Sequence, residues 1–416
     1  MVAGKVGIRL PQRQAQTRMM KIVHPSKRES ILEAQRRFKM ARSAHAYVRG
    51  NTLKFYEWLE AVQGDSIPAG PQVWICGDCH VGNLGPVANT KGRVEIAIRD
   101  LDQTVIGNPA HDLIRLGLSL ATAARGSDLP GVTTAIVLEQ MMEGYEEALS
   151  HPNRDYSDFD KIPKSIRRIL KQAVSREWRP LAEERLEDVK PKIPLGPNFW
   201  KLSSKEKKAI GRLFEANEVR ALVTSLKSRE NDGKIRILDA AYWMKGCSSL
   251  GRLRYAILLR VGKGGYRDGG LCLIDIKEAA KASAPRSIPS PMPKNNAERV
   301  VRGASELSPF LGQRMLAATL LEREVFIREL LPQDLKLELD KITREEATSA
   351  ARYLGGVLGK AHGRQLDLPA RHKWRAELGR HHTKSLDAPT WLWTSVVQLV
   401  ASHEAAYLEH CRHYAK

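Results

Sequence analysis

Apolar residues recur at roughly helical spacing through residues 27–63, where Leu32, Phe38, Tyr47, Leu53 and Leu59 stand among polar neighbours, so the pattern predicts a helical entry. Residues 64–71 read as a turn. The run Val73-Trp74-Ile75-Cys76 suits a buried strand or its end, and the alternation of Val94-Glu95-Ile96-Ala97-Ile98 suits another. From Asp112 onward, Leu113, Leu116, Leu120 and Ala124 mark one buried helix face, with Asp112 placed to cap or brace its start. Helical spacing then dominates to about residue 228, interrupted at 190–197 by Pro191, Pro194 and Pro197, which remove backbone donors and predict a surface loop.

After Asn231-Asp232-Gly233 the period changes. Residues 236–238, 255–261 and 271–276 read as strands between glycine-rich turns, with Phe326-Ile327-Arg328-Glu329-Leu330 a further strand. Residues 279–296, rich in Ala, Ser and Pro, look like a connector before a helix at 297–306. From Thr343 the pattern is helical again. The expected class is α+β, with a helical region over 1–234, a sheet-rich region over 235–342 and helices over 343–416 that complete the first region.

A chain of 416 residues with 42% apolar content can bury a sizeable core and is expected to form two lobes. No stretch approaches the roughly 18–20 apolar residues of a membrane span, and Met1 to Lys27 lacks the apolar run of a signal peptide, so a cytoplasmic location is expected. Five cysteines in so long a chain do not make a disulfide framework. The net charge of +20 favours anionic partners, among them nucleotides, nucleic acid or an anionic surface. Basic clusters such as Arg167-Arg168-Lys171 and Lys205 to Lys208 are most simply solvated helix faces.

Chemistry concentrates in Ile75-Cys76-Gly77-Asp78-Cys79-His80-Val81-Gly82-Asn83, then Ile98-Arg99-Asp100-Leu101-Asp102, then Asn108-Pro109-Ala110-His111-Asp112-Leu113. Phosphoryl transfer needs a carboxylate to orient the attacking hydroxyl and oxygen ligands to hold Mg²⁺ against the phosphates. Asp78 suits the first task, and Asn83 with Asp100 the second, because an Asp and an Asn five residues apart on one tight loop can face the hydroxyl and the metal. His80 is expected to order that loop or approach phosphate. An ordinary polar turn with strand-end carboxylates fits the same residues.

Such a site also needs a glycine-rich turn over the phosphates and a Lys on a neighbouring strand. Gly246, Ser248, Ser249 and Gly251 offer the turn, and Lys277, ending Leu273-Ile274-Asp275-Ile276, offers the cation. Glu298, with Glu306 as alternative, is the expected helix partner of Lys277. An exposed lysine beside a plain hairpin is the bland alternative.

The three acidic segments resemble the H-G-D-x-x-x-x-N, I-D-F-D and D-P-x-x-D-L elements of aminoglycoside and choline kinase-type phosphotransferases. That resemblance implies a protein-kinase-like two-lobe fold, ATP and Mg²⁺ as cofactors, and an unidentified hydroxyl acceptor. Asp78 matches the catalytic Asp, Asn83 and Asp100 the metal ligands, Asp102 a further acidic position and Asp112 the brace of the loop. Cys76 stands where that family has His, and Asn108 where it has Asp. Because the catalytic loop precedes the nucleotide-gripping strands, the order is circularly permuted. Most of the chain, including Tyr47-Val48-Arg49-Gly50 and Leu354 to Arg364, is similar to the bacterial domain-of-unknown-function 2252 family.

Rival readings use the same residues. Cys76-Gly77-Asp78-Cys79-His80 spells the C-x-x-C-H of covalent haem attachment, and the cysteines with His80 also suggest zinc or a redox pair, but these leave Asn83, Asp100 and Asp112 without a task. A nucleic-acid- or anion-binding protein on an inactive kinase-like scaffold is the alternative from the net charge. Arg49 and Arg364 suit phosphate oxygens, although structural salt bridges are the commoner fate of both. His362 reads as a packing histidine.

Overall fold

The structure is a computed structural model, and it describes residues 23, 25–62, 66–154, 162–175, 192–225, 234–244, 252–262, 270–286, 291–331, 343–379 and 388–414. The class is α+β, and the sheets are antiparallel throughout.

Helices α1 (Pro25–Met40), α2 (Ala44–Gly50) and α3 (Thr52–Ala61) lie where one helical stretch was expected. Polar caps divide it: the Ser43 hydroxyl accepts from the Ala46 N–H and the Asn51 side chain from the Lys54 N–H, so each restarts a helix. Strands β1 (Val73–Ile75), β2 (Leu84–Ala88), β3 (Val94–Ile98) and β4 (Val105–Gly107) form two small pairs, β1 with β4 and β2 with β3. Helices α4 (Ala110–Gly126), α5 (Gly131–Ser150) and α6 (Lys164–Ser175) follow.

Next come β5 (Phe199–Trp200), α7 (Ser204–Leu213), α8 (Asn217–Thr224), β6 (Ile235–Trp243), β7 (Arg254–Val261), β8 (Leu271–Glu278), α9 (Asn296–Leu307), the single turn α10 (Pro309–Gly312), β9 (Met315–Leu320) and β10 (Arg323–Leu330). The six strands form one sheet in the order β5-β6-β7-β8-β10-β9. Helices α11 (Arg344–Gly363), α12 (Leu368–Gly379) and α13 (Thr390–Tyr414) complete the described chain. Among the described residues no helix is long and apolar enough to cross a membrane.

Burial explains these elements. One apolar cluster joins β1–β4 to helices α4–α6, α9 and α11–α13, with Leu113, Leu116 and Leu120 of α4 packed as their spacing predicts. A second covers one face of the six-stranded sheet with Ile274 and Ile276 against α7 and α8, and a third gathers Phe199, Trp243, Leu258, Leu273 and Leu330 on the other face. Alternation along β8 therefore puts Asp275 and Lys277 on the Leu273 face.

The glycines of Leu354 to Gly363 have a packing role. A Cβ added at Gly355 or Gly359 would fall 2.0–2.2 Å from a carbonyl oxygen of α5, and one at Gly144 1.9 Å from a carbonyl of α11. Only glycine permits two helices to approach this closely. That contact carries His362, near the end of α11, into the core beside β1.

Candidate active site

Strand β1 ends at Ile75 and the chain turns at once, with Gly77 at φ +73° and so close to Gln103 that a Cβ would sit 2.2 Å from its carbonyl oxygen. Asp112 holds this turn. Its carboxylate accepts the Cys76 N–H at 2.6 Å and the Gly77 N–H at 2.9 Å. His362 Nε2 lies 3.3 Å from the same carboxylate, its Nδ1 lies 3.2 Å from the Tyr145 hydroxyl, and that hydroxyl accepts from Trp374 Nε1 at 2.9 Å. Asp112 is a brace and not a helix cap. Just before the helix, the Asn108 side-chain oxygen accepts the Ala110 N–H at 2.9 Å while its amide donates to the Pro68 carbonyl.

Asp78 is buried, and Arg115 Nε donates to it at 2.9 Å while Arg115 Nη2 donates to the Val48 carbonyl at 2.7 Å. His80 Nε2 stands 3.9 Å from the other Asp78 oxygen. Burial pushes the Asp78 carboxyl above its ordinary value even against Arg115, and Asp100 adds to the rise. Burial, then Arg49 and Arg115, hold the His80 imidazole well below its usual range, so it is neutral near pH 7. The Asn83 amide donates to the Asp78 carbonyl at 2.9 Å, tying the two ends of the loop.

Pairing of β2 with β3 delivers the second acidic segment, since the Arg99 N–H reaches the Asn83 carbonyl at 2.8 Å. Lys277, 2% exposed, comes from β8 to the same place: its Nζ lies 3.5 Å from Asp100 Oδ1 and makes a closer ion pair with Asp102. The Asp100 side chain is 38% exposed and that of Asp102 11%. Burial acts to raise Asp100, but Lys277, Arg328 and Arg254 outweigh it and hold that carboxyl well below the usual range. Asp102 shifts the other way, raised by burial and by the neighbouring Asp100. Arg299 of α9 secures the turn from behind, donating to the carbonyls of Asp102, Thr104 and Ala280.

A charge network missed by the sequence reading flanks Lys277. Asp275 is fully buried and receives Arg254 through Nε at 2.8 Å and Nη2 at 2.6 Å, while Arg328 reaches it at 3.2 Å and also donates to the Arg99 carbonyl. A charged residue inside an apolar strand run, like Arg115 inside an apolar helix run, is the clue that was available, because such a residue is tolerated only when paired.

Several expected residues stand elsewhere. Glu298 is exposed on the first turn of α9, so the buried ammonium of Lys277 meets Asp100 and Asp102 and not Glu298. Gly246, Ser248, Ser249 and Gly251 lie outside the described residues. Arg364 makes no ion pair among the described residues and lines a cavity of about 840 Å³ with Tyr353 and Lys360. Cys76 and Cys79 are free, buried thiols; hydrogen bonding to Cys79 and burial hold the Cys76 thiol well above its ordinary range.

Asp102 Oδ1 is buried and has no hydrogen-bond partner among the described residues, and it lies beside the partly exposed Asp100. Among the described residues no three His, Cys, Asp or Glu side chains gather as a preformed metal site. A hard cation with few protein ligands fits this donor set of Asp100, Asp102 and the Asn83 amide oxygen, because Mg²⁺ keeps waters and takes substrate phosphates to complete its shell.

A family profile described as "Uncharacterized protein conserved in bacteria (DUF2252)" matches residues 29–413. No curated protein and no solved structure matches the chain.

Proposed function

The chain belongs to the DUF2252 family, described only as uncharacterized and conserved in bacteria, and we propose that it is an ATP- and Mg²⁺-dependent phosphotransferase acting on a hydroxyl acceptor. One observation carries this reading: Lys277, from a strand of the large sheet, meets Asp100 and Asp102 beside the loop of Asp78 and Asn83. A cation for nucleotide phosphates, oxygen ligands for a metal and a buried carboxylate are the parts that phosphoryl transfer requires together.

Asp78 orients the acceptor hydroxyl and takes its proton, and its raised pKa suits that task. Asn83, Asp100 and Asp102 would hold Mg²⁺, which supplies charge neutralisation at the phosphates when bound. Lys277 steadies the nucleotide. It stands on the third strand of the β6–β7–β8 meander with helix α9 following, which is the placement of the phosphate-binding Lys in protein kinases. With the catalytic loop first in sequence, this is a circularly permuted two-lobe kinase-like arrangement, working in the cytoplasm where ATP is supplied.

Incubation with labelled ATP and a bacterial metabolite extract, followed by mass analysis of what gains phosphate or AMP, tests the reading. Label transfer that disappears in Asp78→Asn supports it, and transfer that survives unchanged in that variant overturns the role of Asp78. A second reading, anion or nucleic-acid binding on an inactive scaffold, is favoured by Lys164, Arg167, Arg168 and Lys171, which line one shallow surface of α6. Salt-steep RNA or DNA binding without turnover would support it.

A further inference from the structure

Arg49 lies in the last turn of α2, where a guanidinium is ordinarily favourable against the helix dipole. Its contacts go beyond that. The guanidinium presses on Gly82, so that a Cβ there would stand 2.8 Å from both its central carbon and Nη2. Gly82 is the residue before Asn83 and lies four residues after Asp78, and its missing side chain is what lets the guanidinium reach the loop.

No ion pair or hydrogen bond reaches Arg49 from any described residue, whereas its neighbour Arg115 is paired with Asp78. The expected structural salt bridge is therefore absent among the described residues. Alongside, His80 is 4% exposed and its Nδ1 has no partner among the described residues. Arg49, Arg115 and His45 act on His80 electrostatically in one sense and Asp100 in the other. Arg115 is paired with Asp78 and Asp100 with Lys277, which leaves the Arg49 guanidinium as the charge at this end of the loop without a counter-ion among the described residues.

We infer that Arg49 and His80 form a phosphate-binding cradle on the catalytic loop, Arg49 taking phosphate oxygens through its two-pronged guanidinium and His80 through its unpartnered Nδ1. The cradle rests on the proposed phosphotransfer only for the source of its ligand. The terminal phosphate of a nucleotide and an anionic group on the acceptor present the same chemistry.

Calorimetric titration of the full chain with inorganic phosphate, without metal or nucleotide, tests the cradle in wild type, Arg49→Gln, Arg49→Lys and Gly82→Ala. Arg49→Gln weakens phosphate binding about 10- to 100-fold, the size of one charge-assisted contact; Arg49→Lys recovers part, and Gly82→Ala weakens binding although Arg49 is intact. Should Arg49→Gln fail to fold by circular dichroism, the other two variants carry the same test. Repeating the titration with Mg-ADP and a non-hydrolysable Mg-ATP analogue separates the sources. A loss confined to the triphosphate assigns the cradle to the nucleotide, and a loss seen only for phosphate added to analogue-saturated protein assigns it to the acceptor. Phosphate binding that depends on Arg49 in a protein that binds no nucleotide keeps the cradle and removes the phosphotransferase reading. Phosphate affinity equal to wild type in both Arg49→Gln and Gly82→Ala, or no phosphate binding by wild type, overturns the cradle.

Discussion

Asp112 and Asp102 are both carboxylates withdrawn from water, but their surroundings differ. Asp112 receives two backbone N–H groups and His362, so both of its oxygens are engaged. Asp102 meets Lys277 through one oxygen, leaves the other without a partner among the described residues, and stands beside a second carboxylate that is more than a third exposed. A satisfied buried carboxylate builds structure, whereas an unsatisfied one lowers stability unless a ligand completes it. The difference separates the brace of the Asp78 loop from the place where the proposed cation would act.

Asp78→Asn gives the largest expected effect, because it removes the proposed proton acceptor from a loop that Asp112 still holds. Turnover should fall roughly 10²–10⁴-fold with nucleotide affinity kept, as single-turnover kinetics and calorimetry would read. Wild-type turnover in that variant would dissolve the distinction between brace and site.

The contrast between brace and site is tested in urea unfolding by one variant at Asp112 and one at Asp100, the more exposed of the two carboxylates that meet Lys277. Asp112→Ala leaves two buried N–H groups without an acceptor and should cost about 3–5 kcal/mol. Asp100→Ala, at a partly exposed position, should change stability by less than about 1 kcal/mol. Equal losses would show that both carboxylates are structural. For binding the order reverses: Asp100→Ala should weaken Mg-dependent ATP binding about tenfold or more and leave metal-free binding little changed, measured by calorimetry with and without Mg²⁺.

The smallest effect comes from acid. His403 packs edge-on against Tyr47, donates Nδ1–H to the Leu399 carbonyl at 2.9 Å, and is pushed down to about 4 by burial and by Arg115. Its folded pKa lies below the unfolded value, so the unfolded chain binds more protons between them. The contribution of His403 is therefore complete above about pH 6.5 and is lost as pH falls toward 4. Urea midpoints from pH 7 to 5 should decline in wild type and decline less in His403→Leu, and equal slopes would exclude His403 as the cause.

Strands β7 and β8 were legible because apolar residues run without interruption between glycine turns, and α4 because its apolar spacing is regular. Strands β2, β4, β5 and β9 were not anticipated. Three of them are short or lie in runs without clear alternation, and only pairing with a partner strand defines them. The interval from Asp78 to Asn83 could be read directly, since a single turn joins them. Arg115, Arg254 and Arg328 stand out locally only as charges in apolar runs; which carboxylates they pair with is not legible, because those partners are distant in sequence.

Local chemistry in the sequence determined where the turns, strand runs and acidic loop lie, since periodicity and short spacing act over a few residues. Tertiary structure alone decided that Lys277 meets Asp100 and Asp102 rather than Glu298, across a separation of 177 residues to Asp100. A buried ammonium takes the carboxylates that folding places within reach, and that placement depends on how the sheet packs against the loop.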